Sequence, residues 1–132
     1  MKLSSRDNIF RGRAGEFYAA YVLESSGLRT THVDLPSDDL WCVNPLGKMF
    51  RVQVKTAAHA LLHSKWHTTP KYNFKISQNL FDYDGVFIFV AQDIKRLLCR
   101  NGTNIRVQSI KIAEGNFTQE AQDLSIKEAF LL

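Results

Sequence analysis

Three side chains of different chemistry fall close together once the strands of this chain are drawn: Asp39, Gln53 and Lys55. Met49–Thr56 is the clearest period-two segment, with Phe50, Val52 and Val54 pointing one way and Arg51, Gln53 and Lys55 the other. Pro45-Leu46-Gly47-Lys48 ahead of it is turn chemistry, so Leu40–Asn44 is predicted to be the preceding strand, with Asp39 at its mouth. Adjacent strands lie about 4.8 Å apart, and alternate residues about 6.6 Å apart along a strand. A carboxylate, an amide oxygen and an ammonium can therefore converge on one small site. Hard oxygen donors suit Mg²⁺, which accepts one or two carboxylates and keeps several waters for a phosphate to displace. A lysine beside it can orient an attacking water and offset charge growing on a phosphoryl oxygen. Asp38 competes for the carboxylate role. Asp39 is favoured because it directly abuts the apolar Leu40-Trp41, and Asp38 is expected to be a solvated turn residue.

The charge distribution points to a polyanion. Net charge is +4, from 17 Lys and Arg against 13 Asp and Glu, and the excess is unevenly placed. No Asp or Glu occurs from Leu40 to Phe81, a window that holds Lys48, Arg51, Lys55, Lys65, Lys71 and Lys75 with His59, His63 and His67. A second basic cluster, Lys2, Arg6, Arg11 and Arg13, lies near the start of the first helix. Such segregation attracts polyanions by Coulomb steering and counterion release. Trp66, beside Lys65, would either stack on a base or close the edge of the core. His59, His63 and His67 are spaced four apart, but Ser64, Thr68, Thr69 and Pro70 break any helix there, which favours phosphate contacts or solvation over a zinc site.

The elements that must position these residues follow from pattern. Ile9–Ser26 is predicted to be helical, with Phe10, Ala14, Phe17 and Tyr21 on one face and Gly27 as the closing residue. Gly12 and Gly15 weaken that helix but let its backbone approach a strand or a ligand. Leu28–Val33 is a further strand, Tyr72, Phe74 and Ile76 alternate again, and Val86–Ala91 is a buried strand. Asn101-Gly102 is a hairpin signal between Arg96–Arg100 and Ile105–Ile112, and Thr118 caps a last helix through Phe130. Trp41 is expected in the core, Cys42 and Cys99 as small buried hydrophobes, and Asp82 and Asp84 as turn residues or further acids near the site. The sum is one α+β or α/β domain over residues 1–132. With 45% hydrophobic and 23% charged residues the chain has a globular make-up. It carries no signal-like N-terminus, and its longest apolar run, Val86–Ala91, is far short of the about 20 residues that span a bilayer. A cytoplasmic protein with reduced thiols and no membrane partner is expected.

Ser37-Asp38-Asp39-Leu40-Trp41 followed by Phe50-Arg51-Val52-Gln53-Val54-Lys55-Thr56-Ala57 resembles the core of the PD-(D/E)XK nuclease superfamily. Gly12-Arg13-Ala14-Gly15-Glu16-Phe17 resembles that superfamily's first helix. The pattern is most similar to small group I intron homing endonucleases and to Holliday-junction resolvases, over roughly Arg11 to Ala91. The resemblance implies a restriction-endonuclease-like core, a mixed central sheet flanked by an N-terminal and a C-terminal helix. It implies that Asp39 binds metal, that Lys55 is catalytic, that Glu16 binds metal directly or through water, and that the Val54 carbonyl also faces the metal. Gln53 stands where the family usually has Glu or Asp, and Pro36 is three residues before Asp39 rather than adjacent.

The implied activity is Mg²⁺-dependent hydrolysis of DNA phosphodiester bonds, with Mn²⁺ able to substitute. Arg11, Arg13, Arg51, Lys65, Trp66, Lys71 and Lys75 would contact double-stranded DNA. Two strands need two sites and this chain offers one, so a homodimer or homotetramer is expected. Homing endonuclease is the leading reading. A junction-selective nuclease and a catalytically weak nucleic-acid-binding domain on the same fold are the alternatives.

Overall fold

Val86-Phe87-Ile88-Phe89-Val90-Ala91 has nothing to offer water on either side, and every one of these residues is buried. The computed structural model describes residues 5–66 and 68–132, with the backbone alone at residues 5 and 6. Lys2, His67 and the Arg6 side chain lie outside the described residues. The elements run α1 (Ser5–Ser25), β1 (Arg29–His32), β2 (Leu40–Val43), β3 (Met49–Ala57), β4 (Lys71–Lys75), β5 (Val86–Ala91), β6 (Arg96–Asn101), β7 (Ser109–Ala113) and α2 (Gln119–Phe130). The main sheet has the order β1-β2-β3-β5-β6, while β4 and β7 form a separate two-stranded antiparallel ribbon. Only β3 and β5 pair in parallel within the sheet, which makes it mixed. The chain leaves β3, forms β4 in the ribbon and returns to the sheet as β5.

Alternation along β5 serves two cores. Val86, Ile88 and Val90 join Val52 and Val54 of β3 beneath the two helices, with Ala19, Leu23, Ile126 and Phe130. Phe87, Phe89 and Ala91 face the other way, against Tyr72, Phe74, Ile112 and Phe117. The ribbon therefore covers one face of the sheet and the helices the other. Cys42 and Cys99 are both buried free thiols. Thr118 caps α2 as its sequence position predicts, its hydroxyl accepting from the Ala121 N–H at 3.1 Å. Among the described residues no helix is long and apolar enough to cross a membrane.

Two sequence expectations are corrected here. Asn101-Gly102 does not turn β6 back on β7. Gly102 N–H instead donates to Gly85 O at 2.8 Å, and a Cβ at Gly102 would press on Tyr83, so this glycine is needed for close approach. The turn comes just after, where Asn104 adopts φ 70° and its N–H donates to Asp82 Oδ1 at 3.0 Å, and the chain then crosses to pair β7 with β4. Asp82, at φ 55° and bonded to Arg106 at 2.6 Å, is accordingly a turn residue.

The second correction concerns α1. The stripe of Phe10, Ala14, Phe17 and Tyr21 is exposed, and the core side of the helix is Gly15, Ala19, Val22 and Leu23. Small residues win this side because they let the helix lie close on β3. A Cβ at Gly15 would overlap the Thr56 hydroxyl, whereas a Cβ at Gly12 would meet nothing within 4 Å.

These surroundings predict opposite outcomes for two alanine substitutions. Gly15→Ala forces α1 off β3 and should destabilise the protein by about 1–3 kcal/mol. Gly12→Ala should stabilise it by about 1 kcal/mol through helix propensity alone. Urea unfolding of both variants measures the difference, and equal shifts would mean that α1 does not rest on Thr56.

Candidate active site

The site lies where β2 and β3 part. The ladder between them pairs Leu40 with Val52, and Asp39 N–H still donates to Val52 O at 2.8 Å. One step further, a side chain takes over from the backbone: Asp39 Oδ2 accepts the Val54 N–H at 2.8 Å and the Gln53 Nε2 at 2.8 Å. On the other side Val33 N–H donates to Asp39 O at 3.0 Å. The Asp39 backbone is thus held on both sides and its carboxylate is fixed by β3, and Lys55 follows Gln53 on the same face of β3.

Glu16 reaches this fork from α1, held there by the close contact of Gly15 with Thr56. Its carboxyl is pushed up to about 7, first by burial and then by the Asp39 carboxylate with which it shares a hydrogen bond. His32 of β1 approaches from the rim, with Nε2 3.9 Å from Glu16 Oε1 and its ring tilted against that of Phe17, centroids 4.5 Å apart. Burial raises Asp39 too, although the Val54 N–H and the Lys55 ammonium oppose it. Burial lowers Lys55, and Asp39 counters only in part. Two carboxyls crowded into a proton-sharing contact beside a partly buried ammonium form a site that gains from a hard cation.

The donor set fits such a cation. Glu16 and Asp39 supply two carboxylates, the number that Mg²⁺ takes while keeping several waters. No group of three His, Cys, Asp or Glu side chains able to hold a metal exists among the described residues, and beside the Asp39 carboxylate stands the neutral Gln53 amide. As placed, the Gln53 amide turns its nitrogen to Asp39, and a half-turn of the amide presents its oxygen instead. In the histidine segment, His63 Nε2 lies 3.1 Å from Lys71 O.

Asp38 overturns its expectation as a solvated turn residue. It is 3% exposed. Its Oδ2 accepts the Trp41 indole N–H at 2.8 Å, and its Oδ1 the Tyr83 hydroxyl at 2.6 Å. Arg51 Nε contacts both oxygens, at 3.1 and 2.9 Å, while Arg51 Nη2 donates to Ser37 Oγ at 3.2 Å. Burial alone would raise this carboxyl, but the hydrogen bonds from Arg51, Trp41 and Tyr83 outweigh it and hold it low. Arg51, expected at DNA, is therefore directed inward to Asp38. Trp41, expected in the core, is 37% exposed and anchored by its indole nitrogen. No local pattern announces this cluster, since Tyr83 lies 45 positions from Asp38.

The remaining basic residues of the sequence analysis are spread over the surface. Arg13 stacks on Phe17 at 5.4 Å and Lys65 on Trp66 at 4.9 Å. Trp66 is 80% exposed, which removes it from the core edge. Lys71 and Lys75 begin and end β4. Arg11 O accepts from Gln92 Nε2 at 3.4 Å.

No family model matches the chain, and no curated protein matches it. Among solved structures, the chain is similar to a bacterial homing endonuclease, I-Ssp6803I. The TM-score is 0.67 at 14% sequence identity, over 97% of this chain and 95% of that one. The mixed α+β architecture, with its five-stranded mixed sheet, an N-terminal helix and a C-terminal helix, is thus a homing-endonuclease-like fold.

The Asp38 cluster carries a stability prediction. Asp38→Ala strands the Arg51, Trp41 and Tyr83 donors and should cost about 3 kcal/mol, the low end for breaking a buried ion pair because Arg51 is partly exposed. A carboxyl held below its ordinary 3.8 contributes in full above that value and loses its contribution as pH falls through the folded value. The gap between parent and variant should therefore stay constant from about pH 5 to 8 and close only in acid. Denaturant midpoints across this range check it, and a gap that vanishes at neutral pH would remove Asp38 from its structural role.

Proposed function

We propose that this chain is a metal-dependent DNA endonuclease that hydrolyses phosphodiester bonds, of homing type, with a PD-(D/E)XK-like site. The observation that carries the reading is the convergence of Asp39, Glu16 and Lys55 at the β2–β3 fork, on a fold similar to that of a homing endonuclease. Asp39 and Glu16 would hold Mg²⁺ or Mn²⁺, with Gln53 and the Val54 carbonyl as further oxygen donors. Bound there, the metal would polarise the phosphodiester and acidify a water. Lys55, on the same strand face, would orient the attacking water and offset charge on the phosphoryl oxygens. Its lowered pKa lets its ammonium hand over a proton more readily than that of a solvated lysine.

Duplex DNA would be held through phosphates by Lys65, Lys71 and Lys75, with Arg11 and Arg13 on the α1 side and Trp66 available for stacking. Arg51 is left out of this set because Asp38 holds it. A cut in both strands calls for a homodimer or homotetramer in an intracellular compartment that holds DNA. Junction-selective cleavage is the second reading, and offering linear duplex and four-way junction side by side separates the two.

Cleavage should require Mg²⁺ or Mn²⁺ and stop in EDTA, and Lys55→Ala should lower turnover by about 10²-fold or more with DNA binding kept. Undiminished cleavage in EDTA, or a Lys55→Ala chain as fast as its parent, would refute the site.

A second expectation tests the DNA path. Replacing Lys65 and Lys71 with Ala should weaken all duplexes alike and flatten the log–log salt dependence by roughly 0.9 for each phosphate no longer neutralised. Fluorescence anisotropy at several salt concentrations measures both, and an unchanged slope would assign these lysines to solvent.

A further inference from the structure

Phe17 is turned to solvent, 53% exposed, yet two side chains lie against its ring. The Arg13 guanidinium is 5.4 Å from the ring centroid, and the His32 imidazole is tilted by 40° with 4.5 Å between centroids. Phe17 follows Glu16 on α1, and His32 ends β1 as the register partner of Leu40, the residue after Asp39. Two more bonds fix β1 in this place. Glu24 Oε1 of α1 accepts the Thr30 N–H at 2.7 Å, and Val33 N–H donates to Asp39 O at 3.0 Å. His32 is therefore carried by a segment tied on both sides, with its ring braced by Phe17. From this brace its Nε2 stands 3.9 Å from Glu16 Oε1.

That distance is too long for a hydrogen bond, and Glu16 shares one with the Asp39 carboxyl instead. The two carboxyls give up that contact when both turn their oxygens to a shared cation. Carboxylates that ligate a metal are themselves held by outer hydrogen bonds, so Glu16 then calls for a new donor. Among the described residues, the basic side chain within 4.0 Å of its carboxyl is His32. A rotation within the flexible Glu16 side chain closes the remaining gap of about 1 Å to an ordinary N–H···O bond. The other charges around Glu16 offer no such hold. After burial, Asp39 and Asp34 raise its carboxyl as like charges, and Arg13, which opposes them, lies over the Phe17 ring. His32 is not a third ligand either, since no three His, Cys, Asp or Glu side chains able to hold a metal come together among the described residues.

We propose that His32 is the positioning residue of Glu16: its Nε2–H holds one carboxylate oxygen so that the other is presented to the divalent cation. The inference rests on the endonuclease reading and adds to its site a residue that acts through Glu16. It also gives the exposed Phe17 ring a task, which is to keep the imidazole at the angle that faces the carboxylate.

Titration calorimetry of the full chain with Mn²⁺ tests this, alongside the Mn²⁺ concentration that half-activates cleavage of duplex DNA. His32→Ala should weaken Mn²⁺ binding by about tenfold or more, the usual cost of losing the outer partner of a ligand. His32→Phe keeps a ring against Phe17 without the donor, and should lose as much. His32→Gln sets an amide N–H near the place of Nε2, and should recover most of the affinity. The half-activating concentration should rise in the same order, while duplex affinity in EDTA stays at the parent value in all three. Circular dichroism reports folding, and should His32→Ala not fold, His32→Phe and His32→Gln carry the comparison. The inference falls if His32→Phe binds Mn²⁺ like the parent, since packing alone would then suffice. It falls equally if His32→Gln binds no better than His32→Phe. Either result leaves the endonuclease reading intact where the parent binds Mn²⁺ and cleaves DNA. A parent that neither binds Mn²⁺ nor cleaves takes the endonuclease reading down with it.

Discussion

A single buried carboxylate holds the candidate-site end of this molecule together. Asp38 receives donors from Trp41 on β2, from Arg51 on β3 and from Tyr83 just ahead of β5. These partners are far apart in sequence, so satisfying the charge of Asp38 brings three segments to one point. Asp39 is the next residue. Its carboxylate is aimed by the backbone that Asp38 anchors, which makes the buried ion pair the foundation under the candidate site. The two neighbours divide the labour: one acid is saturated with hydrogen bonds and held low, while the other is raised by burial.

The closeness of Glu16 to Asp39 is made possible by packing rather than by charge. Glu16 stands at the fork because Gly15 lets α1 rest directly on Thr56. The larger apolar residues of α1, Phe17 and Tyr21, are turned outward, and Ala19, Val22 and Leu23 make the seal on the sheet. Carboxyls brought this close resist ionising together, and Lys55 loses part of its proton affinity in the same partly buried setting. A hard dication would relieve the carboxyl pair, and Gln53 beside Asp39 adds an amide and no further charge. The result is a site of moderate charge, compatible with a polyanionic substrate drawn to the surrounding lysines.

β3 connects the two halves of the structure. One face, Val52 and Val54, belongs to the core under the helices; the opposite face carries Arg51, Gln53 and Lys55 and then the small Ala57 at a groove beside β4. The β4–β7 ribbon lies on that second face, packed through Phe74 on Phe89, with 5.0 Å between ring centroids. Phe89 is the register partner of Lys55. The ribbon is thus one aromatic side chain away from the proposed catalytic lysine.

What the chain order alone determined was local and periodic. Period-two alternation marked β3 and its polar face, the turn at Pro45–Lys48 joined β2 to it, the apolar run marked β5, and Thr118 marked the start of α2. The motif spacing brought Asp39, Gln53 and Lys55 together because adjacent antiparallel strands have a fixed separation. Tertiary structure decided everything that depends on residues distant in sequence. It turned the aromatic stripe of α1 outward, since close approach at Gly15 outweighs the burial of larger side chains farther from the sheet. It drew Asp38 inside, because only folding brings Arg51 and Tyr83 within reach. It also sent β7 to β4 rather than β6, since Gly102 fits under Tyr83 and the chain turns only at Asn104. Periodicity records what one element prefers, whereas hydrogen-bond satisfaction and packing are settled between elements, and no single segment of sequence contains both partners.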